Sequence, residues 1–223
     1  MLLKAAFPLD VHASKATYEI QFGSLERPTH SNTSWDAAKF EVCAHKWADI
    51  SDNGYGASLL NDCKYGHNAE GSTLKLTLLK CATNPNPNAD KGHHVFTYAL
   101  LPHEGDWRQA GTVAEAYSLN QPAVAVELPK QEGSLPETWS FVRCDAPNAV
   151  VDTVKRADDG SGTVLRLYDA WDRRGNVTLR FGFTPSRAVL CDMLENELED
   201  LPLEGSSLTV PLKNFEILTL KIQ

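Results

Sequence analysis

The 223-residue sequence predicts a mainly β protein, with a large antiparallel β-sandwich over residues 1–147 and a smaller β-sandwich over 148–223. Three observations carry this. About a dozen short runs alternate apolar and polar residues, the period of a strand with one buried face. Turn formers such as Asp52-Asn53-Gly54 and Asp158-Asp159-Gly160 separate them at short spacing. Only one segment has a convincing helical face. Many short strands with few helices are the pattern of sandwiches.

The elements follow in order. Leu3 to Val11 reads as a strand broken by Pro8, and Ala16 to Phe22 as a strand ending at Gly23. Ser24 to Ala37 has no apolar period and reads as a long loop, which in a compact domain is often functional. Phe40, Val42 and Ala44 alternate with Glu41, Cys43 and His45. A turn at Asp52-Asn53-Gly54 leads to a second strand over Ala57 to Leu60. Ser72 to Lys80 is a strand, Thr83 to Asp90 a Pro/Asn loop, and His94 to Leu101 a strand followed by a turn at Pro102 to Trp107. Arg108 to Asn120 is the helix, with Val113, Ala116, Tyr117 and Asn120 on one face and Gly111 weakening it. Gln121 to Glu137 is a Pro-rich connection. Strands are then expected at Trp139–Val142, Asn148–Arg156, Thr163–Tyr168, Asn176–Phe183, Ala188–Asp192, Ser207–Pro211 and Asn214–Ile222. Glu195 to Glu204 reads as a solvated acidic loop.

Composition narrows the function. Hydrophobic content of 42% and charged content of 22% fit a soluble globular protein. The net charge of −8 and the lack of any Lys/Arg run make nucleic acid and anionic membranes poor partners. No apolar run approaches the ~18 residues that a spanning helix needs, and MLLKAAFPLDV lacks the pattern of a signal peptide. Its strand-like start fits an excised piece and a natural N-terminal strand equally. The five Cys are odd in number and lack zinc spacing, so they read as reduced thiols of a cytoplasmic protein. Asn32-Thr33-Ser34 and Asn176-Val177-Thr178 match the glycosylation pattern by chance on that reading.

Catalytic motifs are missing: there is no GxSxG, HExxH, P-loop or GxGxxG. His93 and His94 adjoin on an expected strand, point to opposite faces, and make a poor chelating pair. Lys39 to Gly66 is the densest stretch of aromatic and polar groups. Its strand ends present His45, Lys46, Trp47, Asp49 and Tyr55, then Asn61, Asp62, Lys64 and Tyr65. Carboxylates, amide, ammonium and aromatic faces are what a polyhydroxylated ligand requires. The plainer reading stands beside it: Trp47 and Tyr55 as packing, and Asn61-Asp62 as a turn cap. On its residues alone the chain is a binding or structural module rather than a complete enzyme.

The segment from Arg27 to Gly66 closely resembles the C-terminal β region of glycoside hydrolase family 38 α-mannosidases, the bacterial and cytosolic type. YEIQFG (Tyr18–Gly23), HHVFTYALLPHEGDW (His93–Trp107), AEAYSLNQP (Ala114–Pro122), TVLRLYDA (Thr163–Ala170), AVLCDMLE (Ala188–Glu195) and NFEILTLKI (Asn214–Ile222) extend the resemblance over essentially the whole chain. It implies a supersandwich of the galactose mutarotase-like kind plus a terminal sandwich. It also implies a retaining enzyme with a covalent glycosyl intermediate, two carboxylates and a zinc ion held by His and Asp. The catalytic pair and zinc ligands are expected in an upstream catalytic domain of the same polypeptide, so this chain is expected to have no catalytic or metal residue and no hydrolysis of its own. The substrate-cleft role passes by resemblance to Trp47, Asp49, Tyr55, Asn61, Asp62, Lys64 and Tyr65, facing a mannose-containing oligosaccharide. Whether the parent forms a homo-oligomer stays open. The alternative is a stand-alone carbohydrate-binding β-sandwich.

Overall fold

The structure is a computed structural model that describes residues 1–129, 132–134 and 136–223. It divides into two compact units, Met1–Ala125 and Val126–Gln223. The first carries β1 (Leu3–Pro8), β2 (Lys15–Ile20), β3 (Gly23–Pro28), α1 (Ser34–Ala37), β4 (Val42–Cys43), β5 (Trp47–Ser51), β6 (Tyr55–Asn61), β7 (Gly66–Glu70), β8 (Thr73–Leu79), β9 (Tyr98–Glu104) and α2 (Thr112–Asn120). Two antiparallel sheets result, in the orders β1-β8-β7-β4 and β3-β2-β5-β6-β9. Strand alternation sends Tyr18, Ala48, Ile50 and Leu59 into an apolar core with Leu74 and Leu76 of the other sheet. The opposite face of β5 and β6 bears Asp49, Ser51 and Ser58 beside Trp47 and Leu60, and α2 packs against these strands with Thr112, Val113 and Ala116 buried.

The second unit carries β10 (Val142–Cys144), β11 (Ala149–Arg156), β12 (Thr163–Asp169), β13 (Gly175–Phe181), β14 (Ala188–Cys191), β15 (Glu197–Leu201), β16 (Leu203–Glu204), β17 (Ser207–Leu212) and β18 (Ile217–Ile222). Its sheets run β10-β13-β17-β16 and β11-β12-β18-β14-β15. Leu165, Leu167, Leu179, Leu208, Leu212 and Leu220 fill the space between them. The unit boundary falls after Ala125, earlier than the expected 147, because β10 pairs with β13 of the second sandwich. The Pro-rich connection at Gln121–Glu137 lies partly outside the described residues.

Several elements differ from the sequence reading, each for a physical reason. Gly23–Pro28, expected as loop, is an edge strand: β3 forms a hairpin with β2 and lays Arg27 over the Tyr18 ring at 4.9 Å. An edge strand needs no apolar period, because one flank faces solvent. Within the same expected loop, Thr33 and Asp36 close a capping box around α1. Phe40 to His45 yields only the two-residue β4, and Trp47–Ser51 is the true partner of β6. Gly66–Glu70, GHNAE, pairs with β8 despite weak strand propensity. His93 and His94 lie outside any strand, and β9 runs instead from Tyr98 through Pro102 to Glu104; an edge position tolerates the proline. The helix starts at Thr112, since Gly111 adopts φ 68°. The acidic loop is strand at β15, also an edge. Arg187 pairs with Glu197 (2.9 Å) and Asp200 (2.6 Å), and the buried Lys221 also holds Glu197 at 3.2 Å. No helix of the described residues is long and apolar enough to cross a membrane.

Candidate functional site

Trp47 and Asn61 lie at the open end of the β5–β6 hairpin with Asp62, Lys64 and Tyr65 just beyond it, Asp49 lies at its middle and Tyr55 at its turn. Register pairs Trp47 with Leu60, Asp49 with Ser58, and Ser51 with Gly56. At the open end the chain bends sharply around Asn61. Its Nδ2 donates to the His45 carbonyl (2.8 Å), and its Oδ1 accepts from the amides of Cys63 (3.2 Å) and Lys64 (2.6 Å). This is the turn geometry that Asn favours, and it leaves Asn61 1% exposed.

The bend turns the next residues outward. The Asp62 carboxylate accepts from the Thr97 amide (2.9 Å), and the Asp62 amide donates back to the Thr97 carbonyl (3.1 Å). Partial burial opposes ionisation of Asp62, and the bonds from Cys63 and Thr97 outweigh it, holding the carboxyl below the usual range. Lys64 Nζ sits 4.6 Å over the Phe96 ring. Tyr65 is 57% exposed and rests its ring against His45 at 5.2 Å. Behind this surface Lys46 pairs with the buried Glu19 (2.7 Å) and lies over Tyr117 of α2 (4.5 Å). Asn120 Nδ2 donates to the Asn61 carbonyl (3.0 Å), so the helix end braces the loop.

The other end of the hairpin is built differently. The Asp52 carboxylate accepts from the amides of Gly54 (3.0 Å) and Tyr55 (3.2 Å), and Tyr55 emerges half-exposed. Asp49 is enclosed. Its Oδ2 accepts from Ser58 Oγ (2.7 Å) and His103 Nε2 (2.7 Å), while Ser51 Oγ donates to Oδ1. Ser58 Oγ also meets Thr112 Oγ1 of α2 at 2.7 Å. The bond to Asp49 raises the His103 pKa above its ordinary value. Gly56 makes this crossing feasible. It sits between Ser51 and His103 in the sheet, and a Cβ there would stand 2.6 Å from both Ser51 Cβ and His103 Cε1.

Exposure therefore divides the candidates. Tyr55, Asp62, Lys64 and Tyr65 reach solvent, and Asp62, Lys64 and Tyr65 belong to one loop. Trp47 and Asp49 are each 1% exposed, and Trp47 is engaged by the Trp107 ring at 4.7 Å. His103, Phe96 and Thr97 complete these networks but do not stand out in the sequence; a glycine inside the apolar β6 run was the available signal for His103. Among the described residues no three His, Cys, Asp or Glu side chains converge as metal ligands.

The family profile described as "Glycosyl hydrolases family 38 C-terminal domain" matches residues 1–88, and "Glycosyl hydrolases family 38 C-terminal beta sandwich domain" matches residues 148–220. The chain is 45% identical over 223 residues to "Alpha-mannosidase 2C1" of Homo sapiens, covering 98% of this chain and 21% of that protein. It is 39% identical over 228 residues to "Alpha-mannosidase G" of Dictyostelium discoideum, covering 99% and 21%. The crystal structure of an alpha-mannosidase from Enterococcus faecalis V583 superposes with a TM-score of 0.82 at 20% identity, over 100% of this chain and 26% of that one, and so shares its fold. The chain thus spans about a fifth of the length of these curated relatives.

Proposed function

The chain belongs to the C-terminal β region of glycosyl hydrolase family 38, and on that footing we propose that it is the non-catalytic part of an α-mannosidase. It walls the substrate cleft and stabilises a catalytic domain carried elsewhere in the same polypeptide. The observation that carries this reading is the 45% identity running through 98% of the chain to a protein named an α-mannosidase. The cleft-facing role falls to Asp62, Lys64 and Tyr65, which share the solvent-facing loop. Asp62 accepts from a mannose hydroxyl, Lys64 donates to one, and the Tyr65 ring receives the apolar face of the sugar. Asn61 shapes the loop rather than touching sugar. The hydrolytic carboxylates and the zinc belong to the catalytic domain. The five free cysteines support a reducing, cytoplasmic setting.

The test compares hydrolysis of an aryl α-mannoside by the 223-residue chain with that by the longer polypeptide this reading requires. The chain alone is expected to be inactive with zinc added. In the longer protein, Tyr65→Ala is expected to lower kcat/KM by roughly tenfold, or about 1.4 kcal/mol, with the melting temperature unchanged. Hydrolysis by the isolated chain would overturn the non-catalytic assignment. An unaltered kcat/KM would remove the loop from the cleft.

A further inference from the structure

The turn end of the hairpin holds a cavity of about 340 Å³ between β2, the Asp52-Asn53 turn and the Asp106–Arg108 segment. Known small-ligand sites occupy about 300–1,000 Å³. A charged side chain, Asp49, forms part of its lining while being 1% exposed. Burying a carboxylate is costly unless it is bonded, and this one is bonded unevenly. Oδ2 is taken by Ser58 and His103, whereas Oδ1 receives the Ser51 hydroxyl. An ionised carboxylate oxygen accepts about two bonds, so Oδ1 retains room for a donor from the cavity.

The walls decide what that donor belongs to. Lys15 is neutralised by Glu26 at 2.8 Å, and Arg108 by Asp106 at 3.1 Å. An anionic ligand would have to displace one of these pairs and would face the Asp49 and Asp52 carboxylates as well. A neutral ligand rich in hydroxyls breaks neither, because each hydroxyl both donates and accepts. It can donate to Asp49, Asp106 and Glu26 and accept from Lys15 and Arg108. The Trp107 ring is already engaged by Trp47 at 4.7 Å and by Arg108 at 4.3 Å, so recognition here is polar rather than by stacking.

We infer that this cavity is a second binding site, for a neutral polyhydroxylated ligand of monosaccharide size. It is separate from the Asp62–Tyr65 loop, none of whose residues lines the cavity; β6 places roughly 10 Å of strand between Ser58, opposite Asp49, and Asn61. The inference does not rest on the mannosidase reading, and its test reads binding rather than hydrolysis.

Amide resonances of the 15N-labelled chain are followed by NMR during titration with methyl α-D-mannoside, with myo-inositol, and with sodium phosphate as a charged control. Saturable shifts are expected at Asn53, Asp106 and Arg108 with at least one polyol. Arg108→Ala, on the exposed wall, is expected to weaken that binding at least about fivefold, and Asp49→Asn by about tenfold. Tyr65→Ala should leave it unchanged. Three results would overturn the inference: no saturable shift at these amides below about 50 mM of either polyol, wild-type binding by Arg108→Ala, or phosphate binding here more tightly than both polyols. Arg108→Ala keeps the test decisive even if Asp49→Asn unfolds the chain.

Discussion

Asp49 of the first unit and Asp169 of the second are both buried aspartates, and they are held in opposite ways. Asp169 is 0% exposed and accepts from the backbone amides of Trp171 (3.2 Å), Arg173 (2.8 Å) and Phe215 (3.0 Å), with Asn148 Nδ2 at 2.8 Å. Backbone donors cannot leave without unfolding the turns that carry them. Asp49 accepts only from side chains: two hydroxyls and an imidazole. Rotors can exchange partners, and this carboxylate lines a cavity. The second unit spends its buried charge on joining loops. The first keeps it adjustable beside open space. The seven histidines follow the same division, all lying before Ala125.

Asp169→Ala should break the second unit hardest. Three backbone amides lose a buried acceptor, with an expected loss of about 4 kcal/mol in urea unfolding. A loss under about 1 kcal/mol would erase the contrast with Asp49.

Acid should act on the first unit next. His67 is 1% exposed, and burial pushes its pKa down from 6.5 to about 4. Above pH 6.5 it is neutral whether folded or not. Between 6.5 and about 4 the unfolded chain takes up a proton that the fold refuses, so stability falls as pH falls. The full difference is roughly 3 kcal/mol by pH 4. His67→Gln should flatten that slope in denaturation curves taken from pH 7 to 4, and an unchanged slope would place the acid sensitivity elsewhere. His103 has the reverse sign. Its raised pKa adds stability that is complete below 6.5 and lost as pH rises through its folded value.

Gly56→Ala gives the smallest effect and the sharpest reading. The new Cβ meets Ser51 and His103, so about 2 kcal/mol of overpacking is expected. The His103 pKa should drop toward its ordinary value in an NMR titration as the bond to Asp49 breaks. A lost stability without that drop would mean that the glycine serves packing alone.

Much of the fold was legible because it rests on local chemistry. Alternation located β2, β8, β12, β13 and β18, and Asp52-Asn53-Gly54 marked the hairpin turn. The edge strands β3, β9 and β15 were misjudged in extent or type, since strands with one solvent flank accept Glu, Pro and Arg. The local geometry of the candidate residues was legible in part. Asn61, Asp62, Lys64 and Tyr65 cluster within one turn, and local spacing suffices to bring them together. His103 lies far from Asp49 in sequence and meets it only because β9 pairs with β6 across a glycine.

The β architecture, the turn chemistry and the family follow from local sequence, because periodicity and turn preference act over a few residues and the long motif from Arg27 to Gly66 is specific. Which candidate side chains face solvent follows only from the packing of distant segments. Trp47 and Tyr65 are both aromatic and both lie in the same motif. One is sealed under Trp107 and the other lies open beside His45. That difference comes from which strand pairs with which and which face the helix covers, and both are set by contacts between residues distant along the chain.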